Sequence, residues 1–405
     1  MAFLRGWTPR ERHAVIASYL CWSLDAFDYF VLVFVLTDVA QAFHAGITAV
    51  ALALTLTLAF RPLGAFVFGR LADRYGRRPV LMVNVALYSL FGFLTAFSPS
   101  LIAFLVIRSL FGVAMGGVWG IGASLAFETI AREKRGFVSG LMQSGYATGY
   151  LAASLVFGFL YAWLGWRGLF MVGILPAFFL IFYIWSQVSE APGWNQERAR
   201  ASSTFSVLKT HWRLALFAVV MMTAFNFFSH GTQDLYPTFL QKQHHFDHAT
   251  VSTIAILYNI AAILGGLTVG SLSQRFGRKR ASVVTALIAV PVAFLWAFSS
   301  TAAMLALGAI MIQFLVQGAW GVIPAHLNEI SPEGARGTFP GTVYQLGNLI
   351  ASSNAAIQTF IAVRTGGNYA VAMASVAVCA ALAIAVTVWF GPEAQNVAMA
   401  ETAAP

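Results

Sequence analysis

The sequence has little charge, little cysteine and few acids. Only 10% of its 405 residues are Asp, Glu, Lys or Arg, against 59% that are hydrophobic. A soluble globular domain carries about 25% charged residues, so this composition excludes one and places most of the chain in lipid. The two cysteines, Cys21 and Cys379, lie in separate apolar runs, which argues against a disulfide framework or a metal site. No Gly-rich phosphate loop ending in Lys-Ser/Thr is present, so ATP is not the expected energy source. No nucleophile stands beside a histidine in a strand-turn setting, so neither an enzyme nor a cofactor is expected. The 15 acids face 24 Lys and Arg, a formal net charge of +9. Such a balance can serve nucleic acid, but here the basic residues sit mostly in short loops on one side of the expected topology.

What is present is apolar sequence in long runs. Twelve candidate spans fall at roughly 14–37, 49–70, 79–97, 101–127, 137–163, 168–187, 214–240, 249–272, 281–298, 302–327, 338–362 and 369–390. The fold class expected is an all-α membrane protein of twelve transmembrane helices in two six-helix halves, residues 1–188 and 213–405. The polar segment 189–212 reads as the linker between them. With the N-terminus inside, 19 of the 24 Lys and Arg are cytoplasmic; Arg167, Lys242 and Arg364 are outside, and Arg61 and Arg108 are within the membrane. Positive charge stays inside, so both termini are expected to be cytoplasmic. The N-terminal M-A-F-L-R-G-W-T-P-R-E-R is polar and the first run is too long for a signal peptide, so the chain is expected to keep it.

The halves repeat at an offset of 201 residues: Gly69 with Gly270, Arg77 with Arg278, Trp119-Gly120 with Trp320-Gly321, Glu128 with Glu329, and Arg135-Gly136 with Arg336-Gly337. Parallel repeats of this kind are a transporter pattern, with the substrate site between the halves at mid-membrane.

One stretch of the seventh span stands out. Asn226, His230, Gln233 and Asp234 follow i, i+4, i+7, i+8 spacing, so they share one helical face at membrane depth, where polar groups line a protein interior or a cavity. The 201-residue offset sets Asp25 opposite Asn226 and Tyr29 opposite His230. The motif Asn226, Ser229, His230, Thr232, Gln233, Asp234 and Thr238 resembles the signature of Jen-type lactate/pyruvate:proton symporters, of the sialate:proton symporter family in the major facilitator superfamily. Likewise G-R-L-A-D-R-Y-G-R-R, from Gly69 to Arg78, resembles that superfamily's loop between helices 2 and 3, where Asp73 and Arg77 would latch one conformation. In the second copy Gln274 stands where the first has Asp73, so that latch is expected to be weaker.

Arg61 lies near the midplane of the second span. An uncompensated arginine there costs at least ~2.5–3.5 kcal/mol, so it needs an acid or a cavity. Its fork matches a carboxylate, and a bridge to Asp25 or Asp28 is the alternative. The resemblance implies substrate handling by Arg61, by Gln345 and Asn348 in the eleventh span, and by Tyr344 beside them. Arg108 resembles the superfamily's helix-4 arginine, which implies proton coupling or a tie between helices 1 and 4. Asp25 and Asp28 are one turn apart, and two nearby carboxylates in low dielectric rarely ionise together, which suits a proton site. Arg61 and Arg108 against Asp25, Asp28 and Asp234 leave one excess negative charge, which one proton or a charged His230 would balance. The Asp-x-x-Asp spacing also resembles aromatic-acid:proton symporters. Glu128 and Glu329, each seven residues before an arginine (Arg135, Arg336), are expected to form gate or loop-anchoring pairs. The fifth span, G-L-M-Q-S-G-Y-A-T-G-Y, lacks the Gly-Pro motif of many drug:proton exchangers.

The expected activity is therefore symport of a small organic monocarboxylate (lactate or pyruvate) with a proton. The chain is expected to be a monomer in a bacterial inner membrane, with the lipid bilayer around it and no nucleic acid or metal. Sialic or aromatic acids are the alternative cargo, and a carboxylate sensor without flux is the alternative class.

Overall fold

The computed structural model describes residues 6–192, 209–332 and 338–393. Among them the regular structure is helical. Eleven helical stretches are long and apolar enough to cross a bilayer. One, Arg135–Gln187, has 53 residues, about twice what a bilayer needs. Gly165 breaks it, with φ +58 and ψ −176, a backbone that side chains resist. Divided there, it supplies two spans and brings the count among the described residues to twelve.

They are α1 (Pro9–Ala42), α2 (Ile47–Tyr75), α3 (Arg77–Thr95), α4 (Leu101–Thr129), α5 (135–164) and α6 (166–187) in the first half. The second half holds α7 (Trp212–Lys242), α8 (His248–Phe276), α9 (Arg278–Phe298), α10 (Ala302–Ile330), α11 (Phe339–Arg364) and α12 (Tyr369–Phe390). Of the expected linker, residues 193–208 lie outside the described residues.

Local chemistry sets the helix ends. Thr8 and Glu11 exchange hydrogen bonds around Pro9 in a capping box that starts α1. Ser100 caps α4, Asp247 caps α8 and Thr301 caps α10. Five helices are interrupted part-way: α4 at Gly117, α6 at Gly173, α7 at Asp234-Leu235, α10 at Gly321-Val322 and α11 at Ser352-Ser353. Broken backbone at membrane depth is tolerated only against protein or water, and these breaks lie on elements packed in the interior. The outer surface is the reverse of a soluble protein's: Trp163 is 88% exposed, Ile102 76% and Phe390 83%, side chains that lipid covers.

The halves meet along α5 with α8 and along α2 with α11. The end that carries the α2–α3 and α8–α9 loops is shut. There Asp73 of α2 accepts a hydrogen bond from Thr338, at the start of α11. Ser139 of α5 donates to the Gly321 carbonyl at 2.8 Å and accepts from the Ala325 amide at 3.0 Å. The approach of α5 to α8 is so close that a Cβ on Gly140 would meet the Gly266 carbonyl oxygen at 2.4 Å. At the opposite end, clefts of about 450 and 590 Å³ open between the end of α1 and the α7–α8 loop.

Candidate functional site

Arg61 is set on α2 where α4 presses hardest, because a Cβ on Gly116 would meet the Arg61 carbonyl oxygen at 2.0 Å. With the backbone fixed there, the guanidinium is 1% exposed and reaches the seam between the halves. Its Nη2 is 3.6 Å from Asp25 Oδ2 on α1. Its Cζ is 5.6 Å from the Trp22 ring centroid and 5.8 Å from that of Tyr344 on α11. The pair is loose. Arg61 Nε and Nη2 and both Asp25 oxygens have no hydrogen-bond partner among the described residues, and neither do the Trp22 and Trp119 indole N–H groups or the Tyr29 hydroxyl. Buried polar groups are otherwise almost always satisfied, so this concentration of unmet donors and acceptors marks a site built for a polar ligand.

Aromatic rings enclose it. Trp22 stacks on Tyr146 at 5.4 Å, and Tyr344 meets Trp119 at 4.7 Å and Trp320 at 5.6 Å. Trp119 and Trp320 were legible as repeat landmarks, but nothing in their spacing placed them beside Arg61. Trp22 and Tyr146 carried no signal beyond their apolar context.

The seventh-span motif divides its work. His230 and Asp234 pair as their spacing implies, Nδ1 to Oδ1 at 3.0 Å, and the His230 ring stands edge-on to Tyr29 at 6.1 Å. Asn226 donates to the Met222 and Tyr344 carbonyls at 2.8 and 3.5 Å, tying α7 to α11. Gln233 corrects the expected shared face. Its amide donates to Gln313 Oε1 at 2.9 Å, and its own oxygen accepts from Ser229, while Gln317 also donates to Ser229. Ser229 and Gln233 therefore hold α7 to α10 inside the second half. Neutral amides buried between helices satisfy one another, and α10 supplies two.

Asp25 and Asp28 are also separated. Asp25 faces Arg61, whereas the Asp28 carboxyl lies against Gly92 of α3 and Gly173 of α6, where a Cβ on Gly173 would meet its Oδ1 at 2.3 Å. A three-residue step turns about 300° around a helix, enough to send the two into different crevices. Arg108 sits below Asp28: it donates to the Asp28 carbonyl at 3.4 Å, and its Cζ is 4.1 Å from the Phe111 ring and 5.8 Å from that of Phe170. It ties α4 to α1 from inside the first half. Gln345 crosses the seam, donating to the Gly116 carbonyl at 3.4 Å, and accepts from Asn348 at 2.7 Å.

The gate pair of the first half differs from that expected. Glu128 pairs with Arg77 at 3.2 Å rather than with Arg135, and Arg77 also meets Asp73 at 3.1 Å. There the start of α3, just after the helix 2–3 loop, reaches the carboxylate before the arginine seven residues on. Glu329 pairs with Arg278, accepting two hydrogen bonds at 3.0 and 2.9 Å. Arg135 is buried at 4% exposure. Arg336 lies outside the described residues. Gln274, the counterpart of Asp73, accepts from Arg278 at 2.8 Å.

A twelve-helix bundle in two repeated halves, with its buried polar centre on the seam, is the architecture of a membrane transporter. The chain belongs to the Major Facilitator Superfamily, which it matches over residues 18–246 and 226–403. It is 28% identical over 390 residues to the carboxylic acid transporter protein homolog of Saccharomyces cerevisiae, covering 89% of this chain and 63% of that protein. The chain thus spans less than two thirds of the yeast relative's length. It is 26% identical to the sialic acid transporter NanX of Escherichia coli K12, covering 87% of this chain and 88% of the relative. Among solved structures it is similar to the proton:xylose symporter XylE bound to 6-bromo-6-deoxy-D-glucose, with a TM-score of 0.74 and 16% identity over 95% of this chain and 96% of that one.

Proposed function

We propose that this protein carries a small monocarboxylate, lactate or pyruvate, together with one proton across a bacterial inner membrane by alternating access, as a monomer with its basic, shut end in the cytoplasm. The observation that carries the reading is the Arg61–Asp25 pair, buried on the seam at 3.6 Å, with Arg61 Nε and Nη2 and both Asp25 oxygens lacking a hydrogen-bond partner among the described residues. In the resting arrangement the two charges offset each other. When a proton neutralises Asp25, Arg61 is left uncompensated at membrane depth, where that is costly. A carboxylate then restores the balance, held by the planar fork in two parallel hydrogen bonds. Anion and proton enter together because neither arrangement with only one of them is neutral. His230, Asn226, Tyr344, Gln345 and Asn348 surround the remaining substrate oxygens, and Asp28, Asp234 and Arg108 complete the proton-handling set. Once the centre is neutral the halves rock, breaking the Asp73–Thr338 and Ser139–Gly321 contacts at the shut end. We assign Asp73, Arg77, Glu128, Arg135, Glu329 and Arg336 to the gate there. The names of the yeast and Escherichia coli relatives, carboxylic acid and sialic acid transporters, support an organic-acid cargo.

A second cargo has its own support. Trp22, Tyr146, Trp119, Tyr344 and Trp320 line the centre with ring faces, which suits an aromatic or otherwise planar acid better than lactate requires. Uptake of radiolabelled lactate into proteoliposomes under an inward pH gradient, with pyruvate, acetate, benzoate and sialate as competitors, tests both. Lactate accumulation blocked by pyruvate supports the first cargo, whereas competition by benzoate alone supports the second. Specific binding without flux for every acid would leave a sensor and sink the transport reading.

A further inference from the structure

The clefts at the end opposite the gate are lined by three of the sequence's eight histidines, His44 in the α1–α2 connection, His245 in the α7–α8 connection and His248 at the start of α8, with His244 next to His245. His44 and His245 are 201 residues apart, so they occupy the same place in the two repeats. Each has a left-handed backbone, φ 50 and φ 56, at the end of its helix. After each, the next amide closes back on the helix end, Ala45 N–H to the Ala40 carbonyl five residues back and Phe246 N–H to the Leu240 carbonyl six residues back, at 2.9 and 3.1 Å. Glycine normally fills that cap position, because a side chain there is strained. This chain puts an exposed imidazole there twice, on opposite walls of one opening.

Lys242 and Gln41, likewise 201 residues apart, line both clefts with Thr37; His44 lines one, and His245, Asp247 and His248 line the other. Lys242 makes no ion pair among the described residues. We propose that this vestibule is an intake site for carboxylate anions, net negative at neutral external pH and net positive when its imidazoles are protonated.

The charges that face it give the sign. Lys242 contributes one positive charge. Asp247 contributes one negative charge; its hydrogen bond to Thr250 holds its carboxyl below the usual range. Asp38, which accepts from the Tyr161 hydroxyl, contributes the second. The His248 ring stands edge-on to Phe157 and Tyr161, each at 5.1 Å, so it shares a wall with Asp38. Without protonated imidazoles the sum is −1, and with His44, His245 and His248 protonated it is +2. His244 is turned into Phe239 and Phe246, and burial, with His245 beside it, shifts it towards the neutral form. Two further cations of the connecting loops line neither cleft and stay out of this sum: Arg167, bound to the Ala96 and Ser98 carbonyls, and Arg364, over Phe360. Imidazole changes charge between pH 5 and 8, the range a proton gradient spans. Acid outside would then both load the proton site and draw the anion to its mouth.

This inference rests on the anionic cargo proposed above, but its test does not need the cargo. Gln41→Cys, in a Cys379→Ala background, offers a thiol inside the vestibule. Its rates of reaction with an anionic and a cationic thiosulfonate report the local potential directly. The anionic-to-cationic ratio, corrected for thiolate fraction with a neutral reagent, should rise about three- to tenfold between about pH 7.5 and about pH 5.5 at low salt, and less at high salt. The triple variant His44→Gln, His245→Gln, His248→Gln should flatten the rise, and Lys242→Gln should lower the ratio at both pH values. A ratio that does not move with pH in the parent overturns the proposal. A rise that survives in the triple variant overturns its assignment to these imidazoles. If the vestibule behaves as expected and no carboxylate is transported, the cargo reading alone has failed.

Discussion

Arg61→Lys separates charge from geometry at the centre of the site. The substitution keeps a cation beside Asp25, so the 3.6 Å pair retains its electrostatic complement and the bundle has no new unbalanced charge. What it removes is the planar fork. An ammonium on a flexible stem binds one carboxylate oxygen as a point charge, whereas the guanidinium binds both in parallel. It also loses the delocalised plane that lies 5.6 and 5.8 Å from the Trp22 and Tyr344 rings. One charge-assisted hydrogen bond contributes about 1.5–3 kcal/mol, which corresponds to a loss of about ten- to a hundredfold in affinity. The variant should therefore fold and insert normally, keep a proton-dependent response, and bind lactate or its successful competitor about ten- to a hundredfold more weakly. Equilibrium binding to purified protein in detergent, by calorimetry or scintillation proximity, measures this without the complication of flux. Unchanged affinity in a well-folded Arg61→Lys protein would refute the fork as the carboxylate anchor and leave Arg61 a structural partner of Asp25.

Four further outcomes follow from the same geometry. Asp25→Asn should abolish uphill accumulation while leaving exchange of preloaded substrate partly intact, and a variant that still concentrates substrate would move the proton to Asp28 or Asp234. His230→Ala removes the ring that Asp234 orients at 3.0 Å; it should raise the half-saturating concentration and flatten its pH dependence yet keep gradient-driven uptake, so normal binding with no response to the gradient would make His230 the coupling residue. Gly140→Val sets a branched side chain where even a Cβ meets the Gly266 carbonyl at 2.4 Å, so spin-label distances across the α5–α8 seam should lengthen and turnover should fall by tenfold or more. Glu329→Gln leaves the fully buried Arg278 guanidinium without its acid and should destabilise the protein by about 3–5 kcal/mol in thermal or denaturant unfolding.

The sequence by itself determined the architecture. A bilayer leaves the backbone little choice but helices, and run lengths therefore count spans almost directly. Even the division between the spans at 137–163 and 168–187 was legible, although a single glycine, Gly165, makes the turn there. The repeat at 201 residues was equally legible, because duplicated residues keep their order whatever they later contact. So was the His230–Asp234 pair, since i, i+4 is a local rule of the helix. What the tertiary structure decided was every choice among non-local partners. Arg61 had two acids within reach on α1, and only the rotation of α1 about its axis gave it Asp25 and sent Asp28 to Gly92 and Gly173. Glu128 had Arg135 nearby in sequence, but the loop after α2 brought Arg77 closer in space. Gln233 looked like its neighbours on the helix face until α10 offered Gln313. The aromatic enclosure of Arg61 gathers residues from α1, α4, α5, α10 and α11, and no periodicity along one helix encodes where five helices converge.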